Sequence, residues 1–182
     1  YTVMSYSITD GNTGGNFAID QSTGEISLVA ALDFEAVTSY SVEVSIGDGV
    51  NVGTGIFSVS ISDVNDETPI VSTATVQVLE TTLVGEDIHT VVSSDADAGS
   101  AASYTITNGN TDNGFSIDPT TGIIIVNTGL DYETTSTYSL EISVFDGVNT
   151  GSDIITVNIV DVNDEIPVVA TASEDISEST AL

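Results

Sequence analysis

The residues best placed to do chemistry are carboxylates, and they recur. "LDFE" (32–35) returns as "LDYE" (130–133), "DVNDETP" (63–69) returns as "DVNDEIP" (161–167), and "DADAG" lies at 95–99. Like charges crowded this closely repel, so the pattern makes sense if something positive belongs between them. On an extended chain successive side chains point to opposite sides. Asp63, Asn65 and Glu67 would then alternate against Val64 and Asp66, aiming donors both back and forward along the chain. Asp33 and Glu35 are expected on one side of an extended stretch, and Asp95 and Asp97 in the same relation. Hard oxygen donors with no His or Cys nearby select Ca²⁺, which takes six to eight oxygens in flexible geometry, over Mg²⁺, which keeps its waters.

Other chemistries fit less well. "DADAGSAASYTI" is not an EF-hand loop, because its twelfth position is Ile106 rather than Glu. Paired carboxylates serve glycosidases, but here an ion would occupy both. No nucleophile–base constellation or phosphate loop is present, so no enzyme is expected. Asp20 and Asp118 precede "xTG" turns and are expected to cap them. His89, the single histidine, has no second nitrogen ligand and is expected on a strand surface or edge.

Composition narrows the class. The chain has 182 residues with 28 Asp and Glu, no Lys or Arg, and a net charge of −28. A nucleic-acid grip needs basic residues on phosphates, so nucleic acid is not a partner. An anionic membrane surface is equally unattractive to it, and no run of about 18 apolar residues could insert into a bilayer. A hydrophobic content of 40% argues against disorder. There is no cysteine, hence no disulfide framework.

The elements that must position these carboxylates come in two copies. Shifted by 98 residues the chain lies on itself without a gap, and about half of the overlapping positions are identical. Phe17 falls on Phe115, Gly24 on Gly122, and Asp48-Gly49-Val50-Asn51 on Asp146-Gly147-Val148-Asn149. That period suits one small domain per copy. "YSLEISVFD" (138–146) and "IITVNIVDV" (154–162) alternate with period two, which means one face on a core and one in water. The second copy reads as seven strands, near 74–79, 87–93, 103–107, 115–118, 122–126, 137–145 and 152–161. Seven short strands in about 100 residues predict an all-β, immunoglobulin-like sandwich with Greek-key connections. "LDYETTSTY" could hold at most one helical turn.

Taken together, "LDFE"/"LDYE", "DVNDETP"/"DVNDEIP", "DADAG" before "YTI", and "VLET" (78–81) resemble tandem cadherin repeats of the divergent kind on bacterial and archaeal surfaces. The resemblance covers nearly the whole chain. It implies Ca²⁺ at each junction between successive domains. For the first junction it implies ligands from Asp33, Glu35, Asp63, Asn65 and Asp66, the carbonyls of Val64 and Glu67, and Asp95, Asp97 and Asp146. Glu80, Asp131, Glu133, Asp161, Asn163 and Asp164 would build half of the next junction, and Asp48 would face the one before. One departure is "SAAS" (100–103), where the family has an Asn in a longer loop.

The resemblance divides the chain into a repeat at 1–69 lacking its first two strands, a complete repeat at 70–167, and the first strand of a third at 168–182, with Glu178 in the place of Glu80. The chain is therefore expected to be a window on a longer array, or a subunit completed by a neighbour. The implied function is a calcium-stiffened extracellular stalk, structural or adhesive, at the cell surface. Its partners would be adjacent copies of the repeat, in cis or by head-to-tail strand donation. A calcium-dependent carbohydrate- or protein-binding module of a secreted polysaccharide-degrading system is the alternative, and contact with another cell a third. The alternative needs an exposed aromatic platform, and the chain has no Trp.

Overall fold

The computed structural model describes residues 3–97, 99 and 102–174. Five strands come first: β1 (Ser5–Asp10), β2 (Phe17–Ile19), β3 (Ile26–Leu28), β4 (Ser39–Gly47) and β5 (Val52–Ser60). Nine follow: β6 (Ile70–Val71), β7 (Ala74–Leu79), β8 (Asp87–Thr90), β9 (Ser93–Ser94), β10 (Ser103–Asn108), β11 (Phe115–Ile117), β12 (Ile123–Val126), β13 (Thr137–Phe145) and β14 (Thr150–Val160). No helix among the described residues is long and apolar enough to cross a membrane.

The second copy is a two-layer sandwich. One sheet runs β10-β13-β14-β7, the other β11-β12-β8, with β6-β9 as a short ribbon. All pairs are antiparallel except β14 with β7, which run parallel from Ile155↔Ala74 to Val160↔Leu79. Alternation places Leu140, Ile142, Val144, Ile155 and Val157 inward, each fully buried, while Ser139, Ser152 and Thr137 face water. Phe115 meets Tyr138 edge-on at 4.9 Å between ring centroids, a favoured geometry for an aromatic pair.

The first copy repeats this order in a β1-β4-β5 sheet and a β2-β3 ribbon. Its registers match residue for residue: Ser5↔Gly47 and Ser103↔Phe145 start the same ladder. Each ladder carries a bulge at the same place, Ile8/Asp10 and Ile106/Asn108. The glycine that follows it is required: Gly11 and Gly109 both have φ +75°, and a Cβ there would strike the carbonyl oxygen of Ser41 or Ser139. The buried part of the first core is small, comprising Phe17, Tyr40 and Val42 among the described residues.

Several details differ from the expectations. The stretch 70–98 builds four short strands rather than two: the long strand expected at 87–93 breaks after Thr90, and Ile70–Val71 pairs with its second piece as a further strand. Val91 turns into the core between β8 and β9. His89 lies on β8, an edge strand, opposite Ile124. Residues 33–37 and 131–135 are not extended. They close a turn in which Val37 N–H reaches the Asp33 carbonyl at 3.0 Å and Thr135 N–H the Asp131 carbonyl at 2.9 Å. Residues 168–174 are exposed and lie in no strand. Residues 175–182, Glu178 among them, lie outside the described residues, as do 98, 100 and 101 of the "DADAG"–"SAAS" loop.

Candidate metal centre

The segment 61–69 leaves β5 and lays its polar side chains between the two copies. Pro69 is buried, and its carbonyl sits against Gly151 of β14 so closely that a Cβ there would overlap it. The close approach pins the end of the link to the second domain. Glu67 N–H donates to Asp97 Oδ2 at 2.9 Å, and Asn149 Nδ2 donates to the Glu67 carbonyl at 2.8 Å. Asp146 is held in turn by the N–H groups of Val148 and Asn149, both at 2.7 Å. The repeated "DGVN" thus fixes a carboxylate and an amide against the link.

This scaffold gathers carboxylates from distant parts of the chain. Three groups of oxygens each lie within 4.8 Å of one another here: Glu35, Asp63 and Asp97; Glu35, Asp66 and Glu67; and Asp95, Asp97 and Asp146. A fourth, Glu80, Glu133 and Asp164, stands at the far end of the second domain. There the buried Glu80 accepts from Tyr132 N–H at 2.8 Å and from Val162 N–H at 2.5 Å.

The electrostatics are those of crowded like charges. Its own backbone N–H pulls the Glu35 carboxyl down, but desolvation and the charges of Asp63, Asp97 and Asp66 outweigh it and hold the group above its ordinary value. Glu133 is raised in the same way by desolvation and by Glu80, Asp161 and Asp164, against its own N–H. Burial pushes Asp146 up, yet the N–H groups of Val148 and Asn149 prevail and keep it low.

A hard cation fits these donors. Asp95 Oδ2 and Asp97 Oδ1 are buried with no hydrogen-bond partner among the described residues, an expensive state unless something charged compensates them. Turned to donate, the Asn65 amide reaches Asp146 Oδ2 at 3.2 Å and Asp97 Oδ2 at 3.3 Å, which leaves Asp97 Oδ1 and Asp95 Oδ2 still without a partner among the described residues. Every donor is oxygen, and one group brings together the first domain, the link and the second domain.

Not every expected residue enters these groups. Asp33 Oδ1 accepts from Ala36 N–H at 2.9 Å, and Asp131 Oδ1 from Thr134 N–H at 3.0 Å, so both cap their turns. The Thr134 hydroxyl and N–H hold Asp131 below the usual carboxylate range. Asp161 stands close enough to Glu133 to raise it. The Glu67 carbonyl is engaged by Asn149, and its carboxylate joins Glu35 and Asp66. Asn149 itself was not foreseen at the site; its repetition at Asn51 was the available signal. Asp20 and Asp118 each accept from two N–H groups of their turns, Ser22 and Thr23, Thr120 and Thr121, as expected of caps.

The family profile described as "Cadherin domain" matches residues 2–69 and 74–163. Protocadherin Fat 4 of Mus musculus is 40% identical over 151 residues, covering 79% of this chain and 3% of that protein. Protocadherin Fat 1 of Homo sapiens is 36% identical over 180 residues, covering 91% of this chain and 4% of that protein. The chain therefore spans a small part of the length of these relatives. Among solved structures, mouse cadherin-23 EC22-24 superposes with a TM-score of 0.72 at 28% identity, covering 89% of this chain and 55% of that one. Human protocadherin-24 EC1-2 gives 0.73 at 25% identity, covering 87% and 82%.

Proposed function

The chain belongs to the cadherin family, and from that premise we propose that it is a calcium-stiffened segment of an extracellular stalk, structural or adhesive. One observation carries the reading: Glu35 of the first domain, Asp63 of the link and Asp97 of the second domain bring carboxylate oxygens within 4.8 Å of one another. A divalent ion held there would be bonded to both domains and to the segment between them. Without the ion the same three charges push the domains apart.

The proposed ligands at this junction are Glu35, Asp63, Asn65, Asp66, Glu67, Asp95, Asp97 and Asp146, with the Val64 carbonyl and with Asp33 beside Glu35. At the far end they are Glu80, Glu133, Asp161, Asn163 and Asp164, with Asp131 beside Glu133. The bound ion would supply positive charge and multiple oxygen bonds. The protein supplies the positioning: Glu67 N–H fixes Asp97, Asn149 fixes the link, and Pro69 against Gly151 sets its exit. Extracellular calcium modules bind at roughly 10⁻⁴–10⁻³ M, so sites of that class fill outside the cell. Repeated along an array, such junctions make a stiff rod.

The test compares two single substitutions. Asp66→Ala removes a carboxylate shared with Glu35 and Glu67, whereas Asp20→Ala removes only a turn cap. In millimolar Ca²⁺, small-angle scattering should give a wider spread of interdomain angles for Asp66→Ala alone. If both variants stay as stiff as the parent, the ligand assignment is wrong.

A further inference from the structure

We infer that Asn149 is a positioning residue for calcium: it holds the link on the second domain before any ion arrives, and it turns the side-chain oxygen of Asn65 toward Asp97 and Asp146. The docking of the link stands on hydrogen bonds alone. Its consequence for calcium rests on the reading proposed above.

The turn that carries Asn149 is fixed locally. Asp146 accepts from the N–H groups of Val148 and Asn149, both at 2.7 Å, and its own N–H donates to the Asn149 carbonyl at 3.2 Å. The backbone of Asn149 is thus held on both sides, and its side chain leaves from a set frame. A carboxamide nitrogen carries two N–H donors and accepts nothing. One donor reaches the Glu67 carbonyl at 2.8 Å, the other Asn65 Oδ1 at 3.3 Å. Both acceptors belong to the link. Glu67 N–H returns the tie by donating to Asp97 Oδ2 at 2.9 Å. None of these bonds needs an ion.

Asn65 is where the docked link meets the ligand group. It lies half-buried, and its amide has two orientations that exchange oxygen and nitrogen. In one, the oxygen accepts from Asn149 and the nitrogen reaches the Asp146 carbonyl at 3.5 Å. In the other, the nitrogen donates to Asp146 Oδ2 at 3.2 Å and to Asp97 Oδ2 at 3.3 Å. Hydrogen bonds to ionised acceptors are the stronger kind, so the carboxylates draw the nitrogen inward when no cation is among them. Asn149 opposes this, because its donor-only nitrogen cannot bond the nitrogen that would then face it. With a cation among the carboxylates the balance reverses, since a hard ion takes an amide oxygen and not an amide nitrogen. The Asn65 amide is therefore a two-position element, and Asn149 biases it toward the ligating position. The oxygen so presented joins the group of Asp95, Asp97 and Asp146, where Asp95 Oδ2 and Asp97 Oδ1 are buried without a hydrogen-bond partner among the described residues.

NMR on the full 182-residue chain tests both halves. In EDTA the Glu67 N–H of the parent should exchange slowly with solvent. Asn149→Ala should speed that exchange about tenfold, as the loss of one ordinary hydrogen bond does, and leave Val148 N–H as it is in the parent. In a calcium titration followed at the Asp97 and Gly147 amides, Asn149→Ala should weaken binding about tenfold or more, the usual loss when a group that orients a ligand is removed. Asn51→Ala makes the same change in the matching turn of the first domain and should behave as the parent in both measurements. In an Asn65→Ala background, adding Asn149→Ala should cost less calcium affinity than it does in the parent, because part of its effect runs through Asn65. Exchange at Glu67 that Asn149→Ala leaves unchanged overturns the docking. Equal calcium affinity in the parent and Asn149→Ala, or a loss undiminished in the Asn65→Ala background, overturns the role toward Asn65. A parent that binds no calcium while Asn149→Ala still releases Glu67 overturns the calcium reading, and with it the role toward Asn65, and supports the docking.

Discussion

Glu35 and Glu133 occupy matching positions and carry the same perturbation, which gives the metal-free protein an unusual response to acid. Both carboxyls are held above 4.5, their ordinary value, in the folded state. A raised carboxyl costs folding free energy at neutral pH, and the cost is relieved as pH falls through the raised value toward 4.5. Asp20, Asp48, Asp118, Asp131 and Asp146 are lowered. Their contribution is present above 3.8 and is lost only as pH falls through their depressed values, outside that window. In EDTA the melting temperature should therefore rise as the pH falls from neutral toward 4.5. In saturating Ca²⁺ it should fall over the same span, because protons compete with the ion for its ligands. Melting curves at several pH values check both signs, and a metal-free chain that loses stability steadily on acidification contradicts the crowding described here.

At the level of elements, the long strands were legible because alternation survives translation into packing. Val42, Leu140, Ile142 and Val157 are buried where period two put them. Short pieces were not. Ile70–Val71 and Ser93–Ser94 are two-residue strands that exist because they pair with each other, a tertiary fact with no periodicity to announce it. The carboxylate site was legible in its residue types and less so in its roles. Asp33 and Glu35 look equivalent on an extended chain, but a turn closed by Val37 N–H sends Asp33 to the backbone and leaves Glu35 with the link. Asn149 reaches Glu67 across 82 residues of sequence, a distance that only the fold can bridge. The two cores also differ in depth. Phe115→Ala should cost about 3–5 kcal/mol, as for a large aromatic removed from a closed core. Phe17→Ala should cost less, since Val44 and Val59, packed against its cluster, are only partly buried. Denaturant unfolding of the two variants checks the order, and equal losses would mean that the two cores are equally closed.

On the scale of the whole molecule, charge and mechanics belong together. A net charge of −28 without one Lys or Arg leaves the junction no internal counter-charge, so any compensation must come from bound cations. An ion that binds the folded junction and hardly binds the unfolded chain stabilises by mass action, roughly 2.7 kcal/mol per site at about 100 times its dissociation constant. On the reading proposed above, such an ion would also join the two domains into one body. The chain has no cysteine, so a label pair can be placed cleanly. Ser22 and Thr120 are exposed and hold the same position in the two copies. With Ser22→Cys and Thr120→Cys spin-labelled at low concentration, pulsed dipolar spectroscopy reads the distance between the domains directly. The account predicts a broad distribution in EDTA that narrows to a single distance in millimolar Ca²⁺. A distribution of the same width in both would contradict it.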